Sequence, residues 1–378
     1  MMRFSKIIFT FSAALFLLTA CGKSDEQSSQ LSENSVSGHM ELEYADQFSV
    51  DYLENGCSLI ETGGEKFLLI PENSGEIEIP DGIVPLYQPL ENLYVASSAS
   101  VDLFDGIDSL DSVKFVSTDR DDWSLPSVKN AMDNGEIIYA GKYRAPDFEL
   151  LVDEKCGIAI ENTMIYHNPD IKEQLEELGI PVIVDHSSYE THPLGRMEWI
   201  KLYGLILEKS DEADKFFDDK IALFNSVSSA DIQGSDRKTA AFFYVSSSGY
   251  INVRRPGDYI SKMIELAGGE YIIKSEENSE ESAVSTMNMQ PEAFYEAAKD
   301  ADILIYNSTV DGSYDSVDQL IEKCALLEDF KAVQNGNVWC TEQNMFQQTT
   351  GAVDMICDIN SIINEIAADR TTYLYRLE

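Results

Sequence analysis

The segment Leu93-Tyr-Val-Ala-Ser-Ser-Ala-Ser-Val-Asp-Leu-Phe104 joins a short apolar strand to a helical stretch. The same alternation of strand and helix, with short loops between the elements, continues to Asp185. The predicted strands are Leu93–Ala96, Val113–Ser117, Gly157–Ile160 and Val182–Asp185, and the predicted helices are Val101–Leu110, Pro126–Asn134, Pro146–Glu154 and Pro169–Leu178. This alternation predicts a mostly parallel sheet that is covered by helices on both faces.

The same pattern begins again in the second half of the chain. The predicted strands there are Ala240–Val245, Ile303–Tyr306 and Asn337–Cys340, and the predicted helices are Tyr259–Ala267, Pro291–Lys299, Ser316–Cys324 and Gly351–Ala368. We therefore predict an α/β protein of two Rossmann-like lobes, each with a mostly parallel sheet. Before the first unit, Phe48–Pro71 predicts a β-hairpin that turns at Gly63-Gly64.

A helical segment between the two units is predicted to connect them. Ser210, followed by Asp211 and Glu212, is typical of a helix start. The apolar residues that follow at helical spacing are Ala213, Phe216, Phe217, Ile221, Phe224 and Val227. An ordinary surface helix has the same stripe, but the position between two α/β units favours one long connecting helix. The predicted bounds are 41–193 for the N-terminal lobe, 194–230 for the connecting segment and 231–378 for the C-terminal lobe.

The N-terminus has the order of features of a bacterial lipoprotein signal. Arg3 and Lys6 precede an uncharged run, Ile7–Ala20, which is too short to cross a bilayer of about 30 Å as a helix. The run ends at Leu18-Thr-Ala-Cys21, which resembles a lipoprotein box with an acylated cysteine. We therefore expect a signal peptide at 1–20, lipidation of Cys21, a flexible tether at 21–40 and attachment to the extracytoplasmic face of the cell membrane.

Composition excludes two other classes of protein. The chain has 378 residues, of which 44% are hydrophobic, enough for a sizeable core and too many for a largely disordered protein. It carries 27 Lys and Arg residues against 67 Asp and Glu residues, a formal net charge of −40. A surface this acidic repels phosphate backbones, so nucleic acid is not an expected partner.

Sequence motifs of common enzymes are missing. The chain has no G-x-x-x-x-G-K-[ST], G-x-G-x-x-G, G-x-S-x-G or H-E-x-x-H motif. We therefore predict no catalytic residues, no enzyme activity and no intrinsic cofactor. His186 and His192, six residues apart, are the basis of an alternative, a bare metal-ion site completed by carboxylates, although polar loop histidines are the simpler interpretation.

The cysteines do not suggest a metal or redox motif. Five remain after Cys21, and no two of them have C-x-x-C spacing. This distribution favours small buried residues, with one disulfide left open.

Arginine is scarce in this acidic chain, and its positions suggest a ligand site. Several arginines and aromatic residues follow predicted strands, where open α/β sheets bind ligands. The candidate ligand-binding residues are Arg120, Trp123, Tyr143, Arg144, Tyr189, His192, Arg196, Arg254, Arg255 and Tyr259. Arginine offers a fixed set of donors to carboxylate or catecholate oxygens, and aromatic faces hold planar groups. Ion pairs with nearby acids are the alternative for each arginine.

From about Pro80 to the C-terminus, the sequence resembles the substrate-binding lipoproteins of ATP-driven (ABC) importers for iron complexes and cobalamin. The matching stretches are Leu93–Phe104, Phe148–Ile160, Tyr259–Glu270 and Met289–Ile305. The resemblance implies two α/β lobes joined by a single rigid helix. The sequence departs from the family in the additional hairpin before Pro80 and in the turn Val152-Asp-Glu-Lys-Cys-Gly-Ile158.

The resemblance also implies partners. Glu149 and Glu292 match the two glutamates that face arginines of the membrane permease in that family. We expect a monomer that captures a metal complex between its lobes, most readily a ferric siderophore. Heme, held by Tyr143, Tyr189 or His192, and cobalamin, held by Trp123 and the tyrosines, are the alternatives. A chelatase-like enzyme with the same two-lobe architecture is a more distant alternative.

Overall fold

The computed structural model describes residues 36–228, 237–274 and 286–378, and it begins with a five-stranded sheet. Its strands, in spatial as well as chain order, are β1 (Val36–His39), β2 (Phe48–Leu53), β3 (Ser58–Thr62), β4 (Glu65–Ile70) and β5 (Ile83–Tyr87). Neighbours from β1 to β4 are antiparallel, and β5 runs parallel to β4. Phe67 and Leu69 face the main core, whereas Leu68 and Ile70 face a smaller one, as the alternation of side chains along a strand requires.

The predicted hairpin is therefore part of a larger sheet. Gly63-Gly64 forms the turn between β3 and β4, and both glycines have positive φ, of 59° and 79°. Residues 36–39, assigned to the tether by the sequence analysis, instead form β1 and pair with β2. The signal peptide, Cys21 and the remainder of the tether lie outside the described residues.

The first lobe is built on a fully parallel sheet. Its elements are β6 (Leu93–Val95), α1 (Ser98–Gly106), β7 (Val113–Val116), α2 (Pro126–Asp133), β8 (Ile138–Tyr139), β9 (Gly141–Lys142), β10 (Ala145–Pro146), α3 (Phe148–Asp153), β11 (Ala159–Asn162), α4 (Pro169–Glu177) and β12 (Val182–Asp185). The strand order is β12-β11-β6-β7-β8, while β9 and β10 form a separate hairpin. The order reverses between β6 and β11, which makes this the topological switch point of the sheet.

Two helices connect the lobes. They are α5 (Pro193–Ile206) and α6 (Ser210–Ser228), and they pack closely where Gly204 faces Ala213. A Cβ atom on Gly204 would lie 2.5 Å from that of Ala213, so the close approach requires glycine. The predicted stripe on α6 is confirmed, with Ala213 and Phe217 fully buried.

The second lobe has a mixed sheet with a parallel centre. Its elements are β13 (Thr239–Val245), β14 (Ile251–Arg254), α7 (Tyr259–Leu266), β15 (Glu270–Tyr271), β16 (Thr286–Met289), α8 (Pro291–Ala298), β17 (Ile303–Tyr306), α9 (Val317–Lys323), α10 (Lys331–Gln334), β18 (Val338–Thr341), α11 (Ala352–Ile363) and β19 (Leu374–Arg376). The order is β16-β14-β13-β17-β18-β19, and β15 pairs with β13. Strands β13, β17 and β18 are parallel, whereas β14 and β19 run against their neighbours β13 and β18. The predicted α/β fold of two lobes is confirmed, and the connecting segment consists of the two helices α5 and α6.

The cysteines in the described part of the chain form no disulfide. Cys57, Cys156, Cys324, Cys340 and Cys357 are all free, and all but Cys357 are buried. Burial raises the pKa of the Cys156 and Cys340 thiols to about 12, so these two are small apolar residues in practice. Within the same ranges, no helix is both long and apolar enough to cross a membrane.

Two buried glutamates attach the N-terminal sheet to the first lobe and α5. Glu198 on α5 is 0% exposed, and its carboxylate accepts the backbone N–H groups of Glu43, Tyr44 and Ala45 at 2.8–2.9 Å. Its charge is balanced by Lys201 at 2.8 Å. The Glu190 carboxylate accepts the next two N–H groups, of Asp46 and Gln47, and the indole N–H of Trp199. These charge-assisted bonds fix the segment that leads into β2.

We predict that Glu198→Ala lowers the free energy of unfolding by about 3–5 kcal/mol, because three backbone N–H groups and an ammonium lose their buried partner. Urea denaturation measures the change. Glu173→Ala on the exposed face of α4 is the control, and we expect it to cost about 0.5 kcal/mol or less. Equal losses in the two variants would contradict this account of the attachment.

Candidate ligand-binding groove

A groove opens at the switch point of the first sheet. Ala96 follows β6 and Asn162 ends β11, and from these neighbouring strands the sheet extends to β7 on one side and β12 on the other. Ligands of open α/β sheets bind at such a point. The cavity there measures about 550 Å³ and is lined by Ala96, Ser97, Ser98, Ser117, Thr118, Asp119, Asp122, Tyr139, Lys142, Tyr143, Asn162, Thr163, Met164 and Ser188.

The strand-to-helix loops around the groove are fixed by short polar side chains. Ser97 caps α1 by accepting the backbone N–H of Ser100 at 3.4 Å. Asn162 accepts the N–H of Met164 at 2.9 Å and so starts the 3₁₀ turn Thr163–His167. Side-chain hydrogen bonds therefore fix the start of both loops that carry lining residues.

The hairpin β9–β10 carries two basic residues to the edge of the groove. Its two-residue turn is Tyr143-Arg144, and Lys142 and Tyr143 line the cavity. Gly141 has a φ of 86°, and a Cβ there would lie 2.6 Å from the carbonyl oxygen of Ala145, so the tight hairpin needs glycine. Within the described ranges, neither Lys142 nor Arg144 forms an ion pair, which leaves both charges for a ligand.

Exposed apolar side chains gather at this edge of both sheets. Tyr139, Met164, Tyr166 and Tyr189 of the first lobe and Tyr250 and Val310 of the second lobe are each at least 36% exposed. All six lie on loops that follow strands, or at the last residue of one. Clustered exposed apolar groups mark a binding surface more often than scattered ones do.

A second cavity, of about 690 Å³, lies between the lobes. Its lining comes from both of them and is polar: Asp121, Asp122, Trp123, Ser124 and Lys129 from the first lobe, and Thr309, Glu342, Gln343, Asn344 and Thr372 from the second. Asp122 lines this cavity and the groove at the switch point, so the two spaces adjoin.

Hydrogen bonds beside this cavity hold the lobes together. Gln347 of the second lobe accepts the backbone N–H of Ser124 at 2.6 Å and donates to the Asp122 carbonyl at 2.8 Å. Nearby, the N–H of Thr350 donates to the buried carboxylate of Asp102 at 2.7 Å. Burial raises the pKa of Asp102 to about 6, and the bond from Thr350 opposes that rise. The lobes are therefore fixed relative to each other by direct contacts as well as by the connecting helices.

Three of the predicted site residues come together, but in a packed cluster. The Arg196 guanidinium lies 4.0 Å from the ring centre of Tyr259, and Arg254 lies 5.9 Å from it and 3.6 Å from Asp258. Burial raises the pKa of the Tyr259 phenol and that of the Asp258 carboxyl, although Arg254 opposes the shift at Asp258. The adjoining cavity measures about 30 Å³, the size of one water molecule. This cluster joins α5 to α7 and leaves no room for a metal complex.

Of the other predicted residues, Tyr143 lines the groove and Arg144 lies beside it on the same hairpin, and the rest are dispersed. Arg120 forms a two-pronged ion pair with Asp133, with Nη2 2.8 Å from Oδ2. Trp123 is 2% exposed and donates its indole N–H to the Thr118 carbonyl. Arg144 and Tyr189 are exposed, and Arg255 is half-buried against the Thr286 carbonyl.

The expectation that these arginines lie on or just beyond loops at the carboxyl ends of strands is wrong for Arg196, which lies in α5, and for Arg254, which ends β14. That strand runs antiparallel to β13, so its carboxyl end points away from the groove edge.

The two histidines of the metal-ion alternative have structural contacts. His192 accepts the N–H of Leu194 at the start of α5, and burial and the charge of Lys262 lower its pKa, which suits a neutral ring in that role. His186 is buried among hydrogen-bonding partners from three segments. Across the described ranges, no group of three or more His, Cys, Asp or Glu side chains is arranged to hold a metal ion.

Comparison with known proteins identifies the family of this chain. Residues 95–344 match the family model described as periplasmic binding protein. The chain belongs to the periplasmic binding protein family. The β1–β5 sheet precedes the matched residues.

Relatives of this periplasmic binding protein are distant in sequence. An uncharacterised lipoprotein of Methanocaldococcus jannaschii is 26% identical over 334 residues, which is 84% of this chain and 77% of the relative. The solved heme-binding protein HutB of Vibrio cholerae is 17% identical with a TM-score of 0.59, over 72% of this chain and 98% of its own. The catecholate-siderophore binding protein VctP of the same organism is 17% identical with a TM-score of 0.57, over 73% and 95%. The two structures show a shared fold.

Both predicted docking glutamates of this periplasmic binding protein lie at the groove edge of their sheets. Glu149 is exposed in the first turn of α3, which follows β8 and its hairpin. Glu292 is exposed in the first turn of α8, directly after β16, and β16 runs in the same direction as β13. Each lobe therefore presents one exposed carboxylate at the carboxyl edge of its sheet.

A buried acid lies directly under the groove. Glu161 on β11 is 0% exposed, and among the described residues its two carboxyl oxygens have no hydrogen-bond partner; nor does the hydroxyl of Tyr94. Parallel pairing puts Ala96, which lines the groove, next to Glu161. Burial raises the pKa of Glu161 to about 8, so the group is a neutral acid at neutral pH.

We predict that this acid makes stability depend on pH. The unfolded chain ionises near pH 4.5 and the folded chain near 8, so folding stability falls as the pH rises between these values. Glu161→Gln removes the free-energy cost of ionising this buried carboxyl group. We expect the variant to match the wild type near pH 5 and to exceed it by about 2–5 kcal/mol near pH 9. Urea denaturation at both pH values measures the gap, with exposed Glu173→Gln as control, and a gap of equal size at both would contradict the assignment.

Proposed function

We propose that this protein captures an iron complex, a ferric siderophore, in the groove at the switch point and delivers it to the permease of an ABC importer without a chemical step. The observation that carries this proposal is the groove itself, which is open, largely ordered and placed where α/β folds bind ligands. Family membership supports the transport role, and the fixed contacts between the lobes favour a site that is formed before the ligand arrives.

The lining suits an oxygen-rich complex with flat organic faces. Hydroxyl groups from serine and threonine donate hydrogen bonds to chelate oxygens, and Tyr139, Tyr143 and Met164 provide apolar contact. The positive charges come from the hairpin, from Arg144, which the sequence analysis singled out, and from Lys142, which it did not. These two cations favour an anionic complex over a bare ion, although Asp119 and Asp122 limit how much negative charge the groove accepts.

Heme is the second candidate, and Tyr139 and Tyr143 favour it. Both phenols line the groove, and tyrosine oxygen is an established axial ligand of heme iron. Of the solved relatives, HutB is described as heme-binding and VctP as catecholate-siderophore-binding, so the fold accommodates both ligand types. Cobalamin has less support, because Trp123, expected to contact it, is buried.

The ligand can be identified by titrating the protein with hemin, a ferric tricatecholate and a ferric trihydroxamate, followed by intrinsic fluorescence. We predict that Lys142→Gln weakens binding of the tricatecholate by about tenfold, through loss of one close charge interaction. Lys215→Gln on the exposed face of α6 is the control and leaves binding unchanged. Unaltered tricatecholate affinity in the Lys142 variant would exclude charge recognition by the hairpin, and a wild type that binds none of the three would refute the proposed function.

Attachment and delivery complete the proposal. We propose that Cys21 carries the lipid anchor and that the protein works as a monomer at the extracytoplasmic face of the membrane. Glu149 and Glu292, one on each lobe, would set its orientation on the permease by pairing with basic residues.

We predict that Glu149→Ala with Glu292→Ala lowers uptake of the bound complex by about tenfold or more while its dissociation constant in solution stays unchanged. The reason is that both carboxylates lie on helix starts outside the groove lining. Uptake of labelled complex by cells that carry the matching importer measures the effect, and Glu154→Ala with Glu322→Ala, also exposed, is the control. Normal uptake in the first double variant would refute the docking role.

A further inference from the structure

The N-terminal sheet touches the first lobe close to the groove, although it lies outside the part of the chain that matches the family. The contact is made by the β3–β4 turn. Thr62 and Gly63 lie against the buried imidazole of His186, which follows β12 directly. A sheet that precedes the family match could pack anywhere on a lobe. Its contact with a loop at the carboxyl end of a strand connects it to the ligand-binding edge.

His186 joins segments that are far apart in the chain. Its Nδ1 atom lies 2.9 Å from the Val184 carbonyl and 3.2 Å from the Thr62 hydroxyl, and its Nε2 atom lies 3.0 Å from the Tyr166 hydroxyl. A proton on Nδ1 satisfies all three contacts, because Nε2 then accepts from the phenol. The ring also packs against Tyr189, with 5.7 Å between ring centres.

Both tyrosines belong to turns that line the groove. Tyr166 is part of the 3₁₀ turn Thr163–His167, and Tyr189 ends the 3₁₀ turn Ser187–Tyr189. Thr163 and Ser188, one from each turn, are lining residues whose hydroxyls lie 3.3 Å apart. The position of His186 therefore determines how these two turns meet.

We infer that the β3–β4 turn of the N-terminal sheet sets the shape of the ligand groove through His186, which makes Gly63 and His186 positioning residues for ligand binding. This inference rests on the proposed function. The N-terminal sheet is then part of the ligand-binding structure, since without it the imidazole loses the Thr62 hydroxyl and the Gly63 backbone on one side and keeps only its contacts with the first lobe.

Two neighbouring glycines provide a matched test. Gly63 and Gly64 both have positive φ, so an alanine causes similar backbone strain at either position. A Cβ on Gly63 would lie 2.3 Å from Cε1 of His186, whereas a Cβ on Gly64 meets nothing within 4 Å. Gly63→Ala therefore displaces the imidazole, and Gly64→Ala controls for the turn itself.

The experiment measures dissociation constants for hemin, a ferric tricatecholate and a ferric trihydroxamate in both variants. We expect Gly63→Ala to weaken the complex that the wild type binds most tightly by about tenfold, and Gly64→Ala to change it by about twofold or less. In a His186→Ser background the clash is absent, so Gly63→Ala has no further effect there. Equal affinities in the two glycine variants, or a full effect of Gly63→Ala in the His186→Ser background, would overturn the inference.

Hydrogen exchange separates this inference from the proposed function. We expect Gly63→Ala to speed amide exchange in residues 163–167 and 187–189, and Gly64→Ala to leave it unchanged, whether or not any probe binds. If the wild type binds none of the three probes but the two glycine variants differ in amide exchange as described, the proposed function is refuted and the inference about the β3–β4 turn stands. If Gly63→Ala does not fold, Tyr166→Phe replaces it, because it removes the phenol contact and keeps the ring. Unchanged exchange in residues 163–167 of that variant would also contradict the inference.

Discussion

Parallel strands must be joined by crossovers, and this requirement shapes both lobes. Each helix returns the chain to the amino end of the next strand, so the loops that follow the strands meet at one edge of each sheet. In the first lobe the order β12-β11-β6-β7-β8 reverses between β6 and β11, and a groove opens there. The groove lining and Glu149 lie at this edge of the first sheet, and Glu292 lies at the corresponding edge of the second, because the topology leaves loops and helix starts there.

Electrostatics explains why most of the scarce arginines, all but Arg144 among the candidates, did not mark the site. In a chain with a net charge of −40, most cations have an acid within reach. Arg120 pairs with Asp133, and Arg254 with Asp258, and each pair joins parts of one lobe. Lys142 and Arg144 form no ion pair with any described residue, because they lie on a hairpin with a two-residue turn that is separate from the main sheet. The cations at the groove therefore differ from the ion-paired arginines because they lie on an exposed hairpin, and not because they are a different residue type.

The sequence predicted the elements with strong local signals. Ile303–Tyr306 was placed without error, and α4 and α7 were placed to within one residue, because apolar runs and capping residues define them. Strands β14 and β16 were missed because they are short and their polar residues resemble a loop, and β16 also lies at the sheet edge. The arrangement of site residues was less predictable. A carboxyl-end rule applied to Asn162 and Lys142 would have found them, but the pairing of Arg196 with Tyr259 depends on how α5 meets α7.

The central claim is that an iron complex binds at the switch point of the first sheet. All residues that line the groove there belong to the first lobe. Anomalous scattering at the iron edge, from crystals grown with a ferric tricatecholate or hemin, tests the claim most directly. We predict one iron peak per molecule in the groove bounded by Ala96, Asn162 and Tyr143. A bound complex whose iron lies outside that groove, with the groove empty, would contradict the account.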